Sequence, residues 1–360
     1  MINISVSEFM ILCSSVLLIF LLLTEVLDWT QLFPWAEECN FPRYTFGYAD
    51  RNGPHMWKLL YPDSNGGNQS PINVTTQLAV VVQPSEPLRW SGYDKGPLSM
   101  TITNNENNGA IFHHRFNKQN YLFHSSRSEL FNRVDFSFLS FFFFFYVFET
   151  LLFHAFITHI VIYRFPVVLN TMWNSSTRPY IQGGCLTNVY DICSMVFHWG
   201  HSNEEGSEHT FDYVRFPMEL QVWHIKRGFN SLLDAITAKE NDGILIVSFF
   251  FQITNADNPY LDHIVTNLWR IIQPGTKVHI PPFPLLWIFP TFERDYYTYN
   301  GSFTQPPCSE IVTWILQPEP IAISSSQVAQ FRKICSPDGP ILFNCRPVQQ
   351  VNERSVYFYA

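Results

Sequence analysis

The chain contains no run of lysine or arginine, no internal repeat, and no pair of cysteines with the CxxC spacing of structural zinc sites. Its 22 basic residues are outnumbered by 30 acidic ones, which gives a formal net charge of -8. Because proteins that bind nucleic acids neutralise phosphates with clustered cations, this composition argues against a nucleic-acid partner. What remains is a chain of 360 residues, 46% of them apolar, which is enough to fill one sizeable core.

An apolar run near the N-terminus, "FMILCSSVLLIFLLL" at residues 9–23, has the length of a signal-peptide core, although it lacks the usual basic residues before it. It is short for a membrane span, which needs about 20 residues. We therefore expect a signal peptide over 1–27, cleaved within 24–38, and an N-terminal segment over 28–45. A signal anchor or a core helix is the alternative. The protein is thus expected to be secreted or extracellular, with membrane tethering as the second interpretation.

Secretion would bear on the cysteines and the glycosylation sequons. Six of the seven cysteines remain after removal of the leader, and Cys335 with Cys345 is a plausible local disulfide pair. The sequons at Asn73 and Asn174 are predicted glycosylation sites.

From about residue 46 the sequence consists of short strand-like runs separated by Gly, Pro and Asn, for example "LSMTITNN", "SMVFHWG", "MELQVWHI" and "ILIVSFFFQI". This pattern predicts a mostly β, α+β protein. The segments "NSLLDAITA" and "NPYLDHIVTNLWRII" have helical apolar spacing and predict small surface helices.

Residues 110–165 do not fit this pattern, because they include the Phe-dominated run "FSFLSFFFFFYVFETLLFHAFITHIVIYRF". The run is long enough for a transmembrane helix, but Glu149, His154 and His159 within it argue against that interpretation. We interpret the segment as a foreign insert, with translation of a T-rich intron as its origin.

Five motifs, in order along the chain, then point to one family: "FGYADRNGPHMWKLLYPDSNGGNQSPINV", "FHWGHSNEEGSEHT", "FPMEL", "YYTYNGSFTQPPCSEIVTWIL" and "ILFNCRPVQQVNER". Together they resemble the animal α-carbonic anhydrases, from Phe46 to Tyr357. The resemblance implies a single domain over 46–358, interrupted by the insert. It also implies a large central, twisted, mainly antiparallel sheet of about ten strands with small peripheral helices.

In that family three histidines hold one zinc ion. The resemblance places the first two ligands in an HxHWG pattern, in which positions i and i+2 share a strand face. Here the two positions are Val196 and His198, and the third ligand position is Gln221. Valine has no donor atom and an amide is a weak donor for zinc, so His198 is the sole retained ligand.

Other histidines and a cysteine lie near these positions. Cys193 and His224 are separated from His198 and Gln221 by odd numbers of residues, so regular alternation points both to the other face of the sheet. We expect His201 and His209, in the connecting turn, to have structural roles.

The resemblance also identifies the pair that orients the zinc-bound hydroxyl as Thr304 and Glu208, which we interpret as vestigial. It assigns four residues to the pocket wall: Trp223, Ile246, Trp314 and Gln305. Trp223 and Gln305 stand where the family has smaller side chains, so the pocket is expected to be obstructed. The proton-shuttle histidine is missing, because Asn107, Asn108 and Gly109 follow Glu106.

These losses make the chain most similar to the carbonic-anhydrase-related proteins, which keep the fold without hydrating CO2. The expectation is a secreted, non-catalytic binding protein with no cofactor, whose partner is an unidentified extracellular protein. The alternative is a zinc-dependent carbonic anhydrase of weak activity, with CO2 and bicarbonate as substrates. A third interpretation is a damaged copy of an active gene.

Overall fold

The computed structural model describes residues 46–48, 52–105 and 167–360. The predicted signal peptide at 1–27, the segment 28–45 and the insert at 110–165 lie outside the described residues. No helix in the described ranges has both the length and the hydropathy needed to cross a bilayer.

The strands of the described part are short at the edges and long in the middle of the sheet. Their bounds are β1 Asn73–Val74, β2 Val80–Val82, β3 Leu88–Ser91, β4 Ser99–Thr103, β5 Val168–Met172, β6 Tyr180–Gly183, β7 Tyr190–Trp199, β8 Thr210–Phe211, β9 Met218–Lys226, β10 Ile244–Thr254, β11 Lys277–Ile280, β12 Tyr296–Gly301, β13 Val312–Ser324, β14 Cys335–Ser336, β15 Gly339–Pro340 and β16 Tyr357–Tyr359.

The helices are few and short. The α-helices are α1 Pro54–Leu60, α2 Leu232–Ala238, α3 Asp262–Val265 and α4 Ser325–Phe331, and the 3-10 helices are Pro62–Asn65, Thr76–Leu78, Pro259–Leu261, Leu268–Ile271 and Leu285–Trp287. Helix α4 begins with a capping box, in which Ser324 accepts from the backbone of Gln327 and the Gln327 side chain reaches back to Ser324. The two predicted helical segments contain α2 and α3.

One sheet of 12 strands dominates the structure, with ten strands along the path β11-β4-β5-β7-β9-β10-β13-β12-β16-β2, with β6 also paired with β7 and with β3 paired with β6. Neighbouring strands are antiparallel except for the pairs β10/β13 and β2/β16. The predicted fold class, a single mainly antiparallel sheet of about ten strands with small helices, is confirmed.

Side chains of the central strands alternate between two apolar clusters. On one face, here called the site face, lie Val196, Trp223, Ile246 and Trp314. On the opposite face the neighbouring positions, Phe197 among them, join a larger cluster. Both faces are covered, which is why β10 reads as a nearly continuous apolar run instead of an alternating one.

The last residue of β4, Thr103, pairs with the first residue of β5, Val168. The residues on either side of the undescribed segment are thus neighbours in the sheet. The two strands are antiparallel neighbours, as expected if the sequence from Val168 continues the sheet after "MTITNN". The insert itself lies outside the described residues.

The pairing of Cys335 with Cys345, which their closeness in sequence made plausible, is not formed. All five cysteines in the described part are free thiols. Cys345 is buried and its Sγ donates to the carbonyls of Trp199 and Gly206, at 3.4 and 3.0 Å. Cys335 lies instead in the hairpin of β14 and β15. Closeness along the chain did not bring the two sulfur atoms together.

The two predicted glycosylation sites have different surroundings. Asn174 is exposed. The side chain of Asn73 is only 8% exposed, and its Oδ1 accepts from Thr210 Oγ1 and from the backbone of Tyr213. A glycan on Asn73 would have to be accommodated next to these contacts, whereas Asn174 has free space around it.

Gly206 lies where the turn after β7 passes closely over the chain that leads into β9. A Cβ atom at this position would lie 1.9 Å from the carbonyl oxygen of Pro217 and 2.9 Å from the backbone nitrogen of Gly200. We expect Gly206→Ala to lower the free energy of unfolding by about 2 kcal/mol or more, because backbone atoms would have to shift. Chemical denaturation measures the change.

Gly96→Ala is the matched control, since a Cβ there meets nothing within 4 Å. It should change the free energy of unfolding by less than about 0.5 kcal/mol. Equal effects of the two substitutions would contradict the steric explanation.

His224 is buried on the opposite face, with its Nε2 2.6 Å from the hydroxyl of Tyr93. Burial disfavours the charged ring and lowers the pKa of His224 from 6.5 to about 3. In the unfolded chain the ring protonates below its ordinary pKa, while the folded protein keeps it neutral. Stability is therefore lost as the pH falls from about 6.5 towards 3.

We expect this histidine alone to remove about 2 kcal/mol of stability between pH 7 and pH 5. Urea unfolding of the wild type and of His224→Gln at several pH values measures the effect, and the variant should have a shallower pH dependence over this range. The exposed His55 provides a matched His→Gln substitution outside the core, His55→Gln, against which the His224→Gln variant is compared. Identical slopes for the wild type and His224→Gln would show that the prediction is wrong.

Candidate functional site

Strands β7 and β9 place the three predicted ligand positions on the site face. Val196 pairs with Gln221, and His198 pairs with Glu219 on the same two strands. All four side chains are at most 1% exposed. The geometry of an alternating strand pair thus brings the positions together, although their chemistry differs from that of a three-histidine site.

His198 has the orientation of a metal-binding histidine. Its Nδ1 lies 2.9 Å from the carbonyl oxygen of Asn344, which can only accept, so Nδ1 carries the hydrogen. Its Nε2 has no hydrogen bond within the described part of the chain and lies 3.5 Å from Glu208 Oε2. A carbonyl that fixes one ring nitrogen and leaves the other bare is the usual arrangement around a ligating imidazole.

Gln221 uses its amide nitrogen for hydrogen bonds to carboxylates. Nε2 donates to Glu208 Oε2 at 2.7 Å and to Glu219 Oε1 at 3.2 Å. Gln221 Oε1 has no hydrogen-bond partner among the described residues. This carbonyl oxygen is therefore the atom that Gln221 could offer to a ligand.

The side chains at this centre do not fit a zinc ion. Val196 offers no donor and packs in the apolar cluster of the site face, beside Val168 of β5. Within residues 46–48, 52–105 and 167–360, no group of three or more His, Cys, Asp or Glu side chains could hold a metal. Catalytic zinc sites keep three such ligands, whereas the three ligand positions here supply one imidazole and one amide oxygen.

Cys193 does not lie where regular alternation predicts. The pairing of β7 with β9 shifts register between Ile192 and Ser194, and Cys193 packs against the apolar cluster of the site face. A β-bulge inserts one extra residue and reverses the alternation beyond it, so the expectation that Cys193 faces the other side was wrong. Burial raises the pKa of its thiol, which disfavours the thiolate that a metal would need.

The other three histidines near the site have structural surroundings. His224 lies on the opposite face, as alternation predicts. His209 is buried, and its two ring nitrogens contact Glu219 Oε1 at 2.9 Å and Tyr299 Oη at 2.7 Å. His201 is exposed and stacks on Phe343 with 5.3 Å between ring centroids.

Glu208 and Thr304, the predicted hydroxyl-orienting pair, are both buried near His198. Burial raises the pKa of the Glu208 carboxyl, and the nearby His198 opposes that shift. Glu208 Oε1 accepts from the backbone of Arg346 at 2.9 Å. The Thr304 side chain lies close enough to lower the pKa of this carboxyl slightly, but Thr304 Oγ1 makes no hydrogen bond of normal geometry among the described residues.

The predicted pocket wall lies in one row across three strands, because Ile246 pairs with Trp223 on one side and with Trp314 on the other. The indole of Trp223 stacks on Phe303, with 4.9 Å between ring centroids and 22° between planes. Gln305 is 1% exposed, and neither of its amide atoms has a hydrogen-bond partner in the described ranges. The side chains assigned to the wall are thus all buried, and Trp223 packs against an aromatic ring. The shuttle position at Asn107–Gly109 lies outside the described residues.

Two residues of the site were missed by sequence reasoning. Phe303 stands directly before Thr304, and this position next to a recognised motif could have revealed it. Glu219 alternates with Gln221 on β9 and accepts from the backbones of Glu208 and His209 and from Ser248 Oγ. Burial alone would raise the pKa of the Glu219 carboxyl. The interactions with the adjacent His209 lower this pKa by more than burial raises it, so the net shift is downward.

Comparison with known proteins identifies the family of this chain. The family model described as eukaryotic-type carbonic anhydrase matches residues 52–148 and 166–360. Similar relatives are carbonic anhydrase 3 of Sus scrofa, 30% identical, and carbonic anhydrase 3 of Homo sapiens, 29% identical. Each alignment covers 86% of this chain and 96% of the relative. This family is zinc-dependent in general, and the chain belongs to the eukaryotic-type carbonic anhydrase family.

Proposed function

We propose that this chain is a secreted, non-catalytic member of the family, a carbonic-anhydrase-related binding protein that contacts another extracellular protein and carries no cofactor. The observation that supports this proposal most is Val196 at the first ligand position, paired with a Gln221 whose amide nitrogen is already bonded to two carboxylates.

The reaction of the family needs a metal ion. Zinc lowers the pKa of its bound water from 15.7 to about 7 and so supplies hydroxide at neutral pH. In this chain one imidazole and one weak amide donor replace three histidines, and no other described side chain completes the set. With no tightly held ion there is no nucleophile for CO2.

The residues assigned to the pocket wall also support a non-catalytic role. Trp223, Phe303 and Gln305 are at most 1% exposed and occupy the space beside the ligand positions. A substrate would have to displace a stacked pair of aromatic rings, which costs packing energy. The rest of the fold is intact, which suits a protein that retains its surface for recognition.

The secreted location is supported by the apolar run at residues 9–23 and by the exposed sequon at Asn174.

A weak zinc-dependent carbonic anhydrase is the second candidate, favoured by one observation. The bare Nε2 of His198, with Nδ1 fixed by Asn344, is prepared for a metal, and Glu208 and Thr304 are still present beside it. The third interpretation, a damaged copy of an active gene, explains the same side chains through relaxed constraint.

Metal analysis of the purified protein distinguishes the first two candidates. We expect far less than one zinc per chain and no CO2 hydration above the uncatalysed rate, because the donors are too few. The double variant Val196→His with Gln221→His should bind one zinc per chain. The single variants are the matched controls and should bind zinc more weakly than the double variant. Stoichiometric zinc in the wild type would overturn the proposal.

Restoring zinc should not by itself restore full activity. In the double variant, Trp223 still stacks on Phe303 and fills the wall that receives CO2. We expect the additional change Trp223→Val to raise the rate of CO2 hydration by about tenfold or more at unchanged zinc content. Equal rates with and without this third change would show that the indole does not obstruct the pocket.

A further inference from the structure

Glu208 and Glu219 are two buried carboxylates at a centre that lacks the donors for a metal, so hydrogen bonds from the protein have to hold them in place. We propose that Gln221 fills this role, because its amide bridges Glu208 and Glu219 and lets the polar centre fold without a metal ion. This inference concerns the stability of the site and does not depend on the proposed binding function.

The hydrogen-bond count supports the bridge. A carboxamide nitrogen carries two hydrogens, and Gln221 Nε2 has one carboxylate acceptor for each, Glu208 Oε2 at 2.7 Å and Glu219 Oε1 at 3.2 Å. The opposite amide orientation would place the amide oxygen against Glu219 Oε1, which already accepts from His209 and Ser248. The orientation of the amide is therefore determined by its partners. All three side chains are 0% exposed, so water does not compete for these bonds.

The bridge matters more for Glu208 than for Glu219. Glu219 also accepts from the backbones of Glu208 and His209, from the His209 ring and from Ser248 Oγ. For Glu208 Oε2, the hydrogen bond from Gln221 is the only one that the described part of the chain provides, while Oε1 accepts from the backbone of Arg346. Loss of the amide would leave a buried carboxylate oxygen with no hydrogen bond, which is costly.

Four other side chains at position 221 would not make the same bridge. Histidine has one nitrogen on each edge of its ring, so it can donate to one carboxylate while its second nitrogen points away, towards the place where the family holds its metal. Glutamate would add a third carboxylate, and methionine of similar length has no donor. Asparagine is one methylene shorter. Of these neutral or acidic side chains, only glutamine combines the reach with two donors on one atom.

A double-mutant cycle tests the bridge through the melting temperatures of the wild type, Gln221→Met, Glu208→Gln and the combined variant. We expect Gln221→Met to lower the Tm by at least about 5 °C, because it leaves the buried Glu208 Oε2 without its hydrogen bond. In the Glu208→Gln background, where no carboxylate remains at position 208 to accept from the amide, the same change should lower the Tm by less than half as much.

Two matched controls accompany the cycle. Ser248→Ala removes one of the several donors to Glu219 and should lower the Tm by less than Gln221→Met does. The wild-type Tm should be the same with a chelator and with added zinc, since the centre is complete without an ion. The inference is overturned if Gln221→Met leaves the Tm unchanged, if its effect and that of Glu208→Gln are additive, or if the chelator lowers the wild-type Tm.

If Gln221→Met does not fold, the wild type still gives a direct result. In protein labelled with 15N-glutamine, the Gln221 side-chain amide should show slow hydrogen exchange, and its resonances should shift in the folded Glu208→Gln variant. Fast exchange of the Gln221 amide hydrogens would overturn the inference. Zinc content, measured separately, tests the proposed function, so failure of one proposal is distinguishable from failure of the other.

Discussion

The Glu219 carboxylate is the constraint on which the rest of the site depends. It is the second residue of β9, with 0% exposure, and it accepts hydrogen bonds from the backbone of the turn at Glu208 and His209, from the hydroxyl of Ser248 on β10 and from the amide of Gln221. A charge this deep is stable only if it is fully hydrogen-bonded. The turn after β7 is therefore fixed against the sheet, and with it the position of Glu208 beside His198. The arrangement of the backbone around the centre is set by this carboxylate and its hydrogen-bond donors. The side chains at positions 196 and 221 can therefore differ without changing that arrangement.

The side chains of the site fall into two groups: those that hydrogen-bond to the buried carboxylates, and those that would only bind a metal. The side chains that serve the carboxylates, such as His209 with its Tyr299 contact, are present and bonded. The side chain that would serve only a metal, at Val196, has become part of the apolar packing. Gln221 stands between the two groups, since its nitrogen serves the carboxylates and its oxygen has no hydrogen-bond partner among the described residues. The groups that hold the fold together at this centre and the groups that would bind a metal are therefore largely different atoms.

Much of the fold and of the site could be predicted from sequence. The strands follow the alternation of side chains between the two faces of a sheet, and the site positions lie in motifs that resemble those of the family. The face shared by Val196 and His198, and the opposite orientation of His224, follow from the period of two along a strand. The bulge at Cys193 could not be predicted in this way, since one extra residue reverses the alternation without any change in composition. The bond between His198 and Asn344 joins residues 146 positions apart, and periodicity carries no information about such pairs. The same limit applies to Cys335 and Cys345, whose sulfur atoms meet different partners in the folded chain.

The amide bridge also bears on the charge around His198. A zinc centre presents a positive potential, to which bicarbonate and other small anions are drawn. In the proposed metal-free state, the other two ligand positions hold a hydrocarbon side chain and a neutral amide, and the Glu208 carboxylate lies 3.5 Å from the His198 ring. None of these groups carries a fixed positive charge. Under that proposal, compounds that bind a zinc centre through a negatively charged group would find no counter-charge at these positions.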